Sequence, residues 1–213
     1  FTKYDGIICV SKAARIEFLK FYPELSDKIK VIYNVTSVDD VRTKAGLDSE
    51  LDASFLFDGF KIVSIGRIAY QKGFVRIPAI ARALLDKERL PDFRWYIIGN
   101  GSEIETRQLL DEIRDKGVDT HVILLGEKSN PYPYLKRADL FALTSVYESY
   151  GIVVDEAKIL GIPIVSTEYS AVHEVLPEKF GKILPIEEFP QFIAQCMENR
   201  DMLDYYRTNL KSY

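Results

Sequence analysis

The sequence predicts an α/β protein, a mostly parallel sheet covered by helices on both faces. Short apolar runs alternate with longer amphipathic segments from one end of the chain to the other, as strand–helix units require. No repeat or low-complexity tract interrupts the alternation. The 213 residues, 47% of them hydrophobic, suffice for one sizeable α/β domain or for one domain carrying part of another.

In chain order, strands are expected at GIICVS (6–11), KVIY (30–33), FKIVSIG (60–66), FRWYIIG (93–99), HVILLG (121–126), LFALTS (140–145), IPIVST (162–167) and GKILP (181–185). Each is a short, β-branched or aromatic run bounded by turn residues. Helical periodicity covers Ser11 to Phe21, Lys72 to Glu88, Ser102 to Lys116, Gly151 to Leu160 and Glu187 towards Arg207, and Asn130-Pro131 starts a further short helix. Pro78 kinks or shortens the second of these. The polar, Gly-containing stretch TSVDDVRTKAGLDSELDASFLFDGF reads as a linker or domain border, dividing residues 1–45 from a domain over 46–213.

Composition narrows the function. A net charge of −4 gives no electrostatic case for nucleic acid, so any phosphate affinity must be local. Cys9 and Cys196 stand alone, without a disulfide framework or a zinc-ligand spacing, which suits a reducing cytoplasm. No apolar run approaches the roughly 20 residues of a membrane span, and no signal peptide is expected. The chain begins at Phe1 and stops within a helical pattern, RTNLKSY, so it is expected to be a piece of a longer protein.

Chemistry concentrates at strand ends. In ESYGIVVDE, Glu148 precedes a helix, and Glu156 falls in that helix's apolar stripe with Ile152, Val153, Ala157 and Leu160. A carboxylate there must reach a cleft or accept hydrogen bonds, because an unpaired buried charge costs several kcal/mol. Both glutamates can then face one crevice beside the unpaired N–H groups of a helix N-terminus, a setting for diol hydroxyls and phosphates. In IVSIGRIAYQKGF, Gly66 ends a strand, Arg67 follows, and Lys72-Gly73 opens the next helix. Two cations at a helix start suit a diphosphate, although solvated loop charges give the same pattern. Gly99-Asn100-Gly101 lacks the third glycine of a dinucleotide turn, its place being taken by Ile104, and Ser102 is explained equally by helix capping. Gly126-Glu127-Lys128 could line a base pocket or simply close a tight connection. His121 and His173 have no triad partners at diagnostic spacing, and Asp39-Asp40 is not the D-x-D that holds a metal with a diphosphate, so no metal is expected.

Together these residues resemble the C-terminal, donor-binding half of a retaining glycosyltransferase of family 4, a Rossmann-like domain of the two-domain GT-B fold. The resemblance rests on Gly66-Arg67 with Lys72-Gly73, on the Gly99 to Gly101 turn, and on ADLFALTSVYESYGIVVDEAKILGIPIVST, which holds the family's E-x7-E pair as Glu148 and Glu156. It implies that Arg67 and Lys72 bind the donor diphosphate, that Glu148 holds sugar hydroxyls and that Glu156 accepts from the ribose diol. It also implies that the backbone of Tyr150, Gly151, Ile152 and Val153 meets the distal phosphate, with Gly66, Gly99, Gly101 and Glu127 lining the nucleotide site. Glu148, Arg67 and Lys72 would act in catalysis without metal or cofactor, by orientation and electrostatics. The implied partners are a nucleotide-sugar donor, UDP-sugar being the commonest, and a glycan or lipid-linked acceptor in surface polysaccharide assembly. Acceptor and any membrane contact would come through a missing N-terminal domain, whose last strand and helix remain as YDGIICVSKAAR. The piece alone should transfer little, and Phe18 and Phe21 should be exposed.

Three departures from the family pattern stand out. Tyr33-Asn34-Val35-Thr36-Ser37 lacks an Asp, Ser149-Tyr150 replaces the commoner Gly-Phe, and Ser170-Ala171 replaces a Gly pair before Glu174, implying an unusual donor or a closed loop that opens with it. A GT-B epimerase would need acid–base residues in the cleft, and a phosphorylase a cofactor lysine; neither pattern is present. A non-catalytic nucleotide-binding module would be favoured by loss of Glu148 or Glu156, and both are retained.

Overall fold

Among the described residues, eight strands form in the chain order read from the apolar runs. In the computed structural model, which describes residues 3–47 and 51–213, β1 (Ile7–Cys9) and β2 (Ile29–Val31) make a two-stranded parallel sheet. A second, six-stranded parallel sheet contains β3 (Phe60–Ile65), β4 (Phe93–Ile98), β5 (Val122–Gly126), β6 (Leu140–Leu143), β7 (Ile164–Ser166) and β8 (Gly181–Ile183). Its spatial order is β5-β4-β3-β6-β7-β8. The chain builds outward from β3 in one direction, then returns to β6 and builds outward in the other, the doubly wound arrangement.

Side-chain alternation along these strands explains why both faces are covered. On β3, Ile62 and Ser64 face one way and Val63 the other, all fully buried. One core joins Ile62, Trp95, Ile97, Leu140 and Val165 to α3 (Ile77–Leu85), α4 (Glu103–Asp115), α8 (Phe189–Glu198) and α9 (Arg200–Leu210). The opposite core joins Val63, Tyr96, Phe141, Leu143 and Ile164 to α5 (Tyr132–Lys136), α6 (Ile152–Ile159) and α7 (Val172–Val175). Each fully buried aliphatic or Phe side chain stabilises the fold by about 1.5–3 kcal/mol. The buried polar atoms between them are paired: Trp95 Nε1 donates to Ser64 Oγ (3.0 Å), which donates to the carbonyl of Ala142 (2.6 Å).

Four expectations change. The helix read from Lys72 to Glu88 is α-helical only from Ile77; Tyr70–Lys72 and Phe74–Arg76 are 3₁₀ turns. Pro78 thus goes with a shortened helix, as expected, and without a kink: it sits in the first turn, where its missing N–H has no intrahelical partner to lose. The segment from Glu187 divides at Asn199, whose side chain caps α9 by accepting from the Asp201 N–H (3.0 Å). Within the stretch read as linker, Val38–Ala45 forms a helix, α2, capped by Ser37 and packed against α5 and α6; residues 48–50 of that stretch lie outside the described residues. α1 (Lys12–Phe21) leaves Phe21 77% exposed, whereas Phe18 is half-buried against Tyr22. No helix among the described residues is long and apolar enough to cross a membrane.

The most demanding buried group in the fold lies on α6. Asp155 and Lys158, both nearly inaccessible, pair at 2.7 Å. Asp155 also accepts from the hydroxyls of Tyr150 (2.9 Å) and Tyr213 (3.1 Å), and Lys158 donates to the carbonyl of Val175 (2.7 Å). Removing one partner strands the other charge. Asp155→Ala is expected to cost about 3–5 kcal/mol in urea unfolding, and Asp155→Leu combined with Lys158→Met should recover most of it. A double variant no more stable than Asp155→Ala would mean that the tyrosine hydrogen bonds, not the stranded lysine, carry the cost.

Candidate functional site

The carboxyl ends of β3 and β6 lie side by side where the strand order reverses, and the loops leaving them diverge. Two cavities open there, of about 470 and 410 Å³, both bordered by Ile65 and Gly66. The first is lined by Arg67, Gly99, Asn100, Gly101, Glu127, Lys128 and Pro131. The second is lined by Lys72, Glu148, Tyr150, Gly151, Ile152, Val153 and Glu156, together with Val10 and Asn34 from the β1–β2 segment. The structure thus brings every residue that the resemblance assigned to the donor site to two adjoining hollows.

Lys72 is aimed by its turn. Gly73 adopts a left-handed conformation (φ 65°), and a Cβ there would lie 2.2 Å from the carbonyl oxygen of Thr144, so only glycine lets the turn lie flat on the end of β6. Thr144 Oγ1 donates to the Lys72 carbonyl (2.9 Å), and the Val146 N–H to that of Gln71 (2.7 Å). Lys72 Nζ then meets Glu148 Oε1 at 2.5 Å, and Ser145 Oγ donates to the same oxygen (2.9 Å). Lys72 does not stand at a helix N-terminus, as the sequence suggested, because α3 starts five residues later. Arg67 is exposed at the mouth of the first cavity.

The helix N-terminus in this crevice belongs to α6. Gly151 is its N-cap (φ 92°), and a Cβ there would come 2.8 Å from the Tyr169 hydroxyl. No side chain caps α6, and its first residues line the second cavity. Ile152, expected in the core, is 46% exposed, because the helix begins with its first residue at the cavity rim. Glu156, one turn on, is half-buried and accepts a hydrogen bond from Tyr132 (3.0 Å). Burial raises its pKa above the ordinary glutamate value; the Tyr132 hydrogen bond opposes the shift without cancelling it.

Several neighbours escaped the sequence reading. Lys128 pairs with Asp52 (2.9 Å), whose carboxyl is held below its usual range by hydrogen bonds from Tyr134 and Lys128. Asp52 lies 76 positions from Lys128, so spacing offered no signal. Ser11 Oγ donates to the carbonyl of Ser149 (2.7 Å), and Glu174 accepts from the N–H groups of Lys12 and Ala13 (2.9 and 2.7 Å) and from the Tyr33 hydroxyl (2.9 Å). These bonds fasten α1 and β2 to the loops flanking the crevice. Ser102 does cap α4, in a reciprocal box with Glu105, while Gly99 and Gly101 line the first cavity.

Comparison with known proteins gives the family and the fold. The family model described as Glycosyl transferases group 1 matches residues 52–212. An uncharacterized glycosyltransferase of Methanocaldococcus jannaschii is 30% identical over 172 residues, 79% of this chain and 41% of that protein. The N-acetylgalactosamine-N,N'-diacetylbacillosaminyl-diphospho-undecaprenol 4-alpha-N-acetylgalactosaminyltransferase of Campylobacter jejuni is 26% identical over 218 residues, 100% of this chain and 56% of that protein. The chain thus spans about half the length of these curated relatives. Among solved structures, a mutant of S. aureus TarM in complex with fondaparinux, α-GlcNAc-glycerol and UDP superimposes with a TM-score of 0.80 at 20% identity, over 99% of this chain and 40% of that one, a likeness of GT-B fold. The chain belongs to the group 1 glycosyl transferases.

Because the folded state raises the Glu156 pKa, that carboxyl favours folding below the ordinary glutamate pKa, and the contribution is lost as pH rises through the raised value. Glu156→Gln should therefore be more stable than the parent at neutral pH, with the advantage shrinking as pH falls into the acid range. Denaturant midpoints measured across that range check this, and a pH-independent difference would contradict it.

Proposed function

We propose that this group 1 glycosyl transferase chain binds a nucleoside-diphosphate sugar across the two adjoining cavities and presents it for transfer with retention of configuration, as a family 4 donor domain. The base lies in the first cavity, over Gly99–Gly101 and the loop at Glu127. Glu156 accepts from the ribose hydroxyls. Arg67, Lys72 and the N–H groups at the start of α6 surround the diphosphate, and Glu148 meets the sugar hydroxyls.

The meeting of Lys72 and Glu148 at the switch point, within one crevice with Arg67 and Glu156, supports this assignment most directly. Without a donor, the ammonium is neutralised by the carboxylate. A diphosphate, with about two or more negative charges, competes for Lys72 through charge-assisted hydrogen bonds and frees Glu148 for hydroxyls. As the sugar–phosphate bond breaks, negative charge grows on the departing nucleotide, where Arg67, Lys72 and the α6 N-terminus already stand. The cations that meet the diphosphate in this reading are side chains of the chain itself. UDP is the nucleotide favoured here, since the TarM likeness was solved with it. A glycan or lipid-linked acceptor is favoured by the activity named for the C. jejuni relative, and it would dock through the part of such proteins that this chain does not span. The resulting work is surface polysaccharide assembly at the cytoplasmic side of a membrane.

Calorimetric titration with UDP, GDP and ADP, with and without EDTA, tests this at concentrations that detect affinities as weak as about 1 mM, roughly −4 kcal/mol. Selective binding insensitive to EDTA is expected; a folded sample that binds none of the three would favour a non-catalytic module. Arg67→Ala should weaken UDP roughly 10- to 100-fold, the cost of about 1.5–3 kcal/mol for a charged hydrogen bond, and leave uridine nearly unchanged. Equal losses for both would make Arg67 a structural residue.

A further inference from the structure

Glu156 has one hydrogen-bond partner among the described residues, the hydroxyl of Tyr132, and that partner is itself held from a distance. Tyr132 opens α5 directly after Asn130-Pro131. Its N–H bonds to the Asn130 side-chain oxygen (3.3 Å), while the Asn130 amide donates to the carbonyl of Lys44 at the end of α2 (2.9 Å). α2, packed on α5 and α6, thus fixes where α5 begins, and α5 fixes the hydroxyl against Glu156 Oε1. One carboxylate oxygen is committed to the protein, and the group lines the second cavity.

We infer that Tyr132 is a positioning residue of the donor site, its hydroxyl fixing one oxygen of Glu156 so that the other is presented to the ribose hydroxyls. Tyr132 has this role only if the crevice holds a nucleotide donor, as proposed above. Two physical consequences distinguish it from a packing tyrosine. Burial and the neighbouring Glu156 push the phenol up to about 12, so it stays a donor at any pH at which the protein works. A donated hydrogen bond also removes one of two equivalent ways of docking a diol, so the ribose meets a carboxylate whose orientation is already set and loses less entropy on binding.

The test compares the parent chain, Tyr132→Phe, Glu156→Gln and the double variant, each titrated with UDP and 2′,3′-dideoxy-UDP, and with GDP and its dideoxy analogue as a second pair. Tyr132→Phe is expected to weaken UDP roughly 5- to 10-fold, the scale of one lost hydrogen bond, and to change dideoxy-UDP by less than about two-fold. In the Glu156→Gln background the same substitution should have little further effect on UDP. Equal weakening of both nucleotides, or full additivity in the double variant, would overturn the positioning role while leaving the donor site intact. Failure of the parent chain to bind either UDP or GDP would instead overturn the donor site, and the role of Tyr132 with it.

Discussion

The reversal of strand order between β3 and β6 is the constraint on which the site depends. Because consecutive strands run outward from this point in opposite directions, the loops leaving β3 and β6 separate above the sheet and leave a crevice that no helix fills. Everything with chemical capacity is delivered to that gap by short connections. Lys72 comes from the turns after β3, Glu148 from the loop after β6, and their ion pair closes the bottom of the crevice. The clamp of Gly73 against Thr144 makes the delivery accurate, since it ties the two diverging loops together by backbone contact rather than by long side chains.

Three carboxylates around this gap show how environment separates structural from functional roles. Asp155 is buried but has Lys158, Tyr150 and Tyr213 as partners, and with them it anchors the Tyr150 turn to α6. For Glu174, burial favours the neutral form, yet the N–H groups of Lys12 and Ala13 and the Tyr33 hydroxyl outweigh it and hold the pKa below the ordinary value. Glu156, one residue from Asp155, has a single donor, and burial prevails. A carboxylate left short of donors inside an otherwise satisfied network lowers the stability of the protein at neutral pH.

Much of this was legible in the sequence, for identifiable reasons. The eight strands of the described residues were: in β3, β4, β6 and β7 two-sided burial makes a parallel strand read as a continuous apolar run. The crevice residues were as well, because the doubly wound arrangement places functional loops immediately after strands, so Gly66-Arg67 and Glu148 could be found by position alone. α2 was hidden because it buries only Val41 and Ala45, and its charged first and last turns resemble a linker. The early start assigned to α3 arose because 3₁₀ turns carry nearly the same apolar spacing as the helix they precede. Ile152 was misjudged because periodicity assumes that a stripe is buried along its whole length, whereas the first turn of α6 forms a cavity wall. Tyr132 and Asp52 could not be found at all, since their partners are 24 and 76 positions away and neither pairing has a local signature.

The same network gives the β1–α1–β2 segment a part in the site. The N-terminus of α1 is a ready anion-binding position, and the protein fills it with Glu174 of α7. Ser11, the N-cap of the same helix, bonds to the Ser149 carbonyl, and the rings of Tyr33 and Tyr150 approach to 6.1 Å. Ser149, in the loop bordering the second cavity, and Glu174 are therefore both fastened to one helix end. Where the sequence has Ser170-Ala171 in place of glycines, the loop gives up backbone freedom, and Ala171 is fully buried.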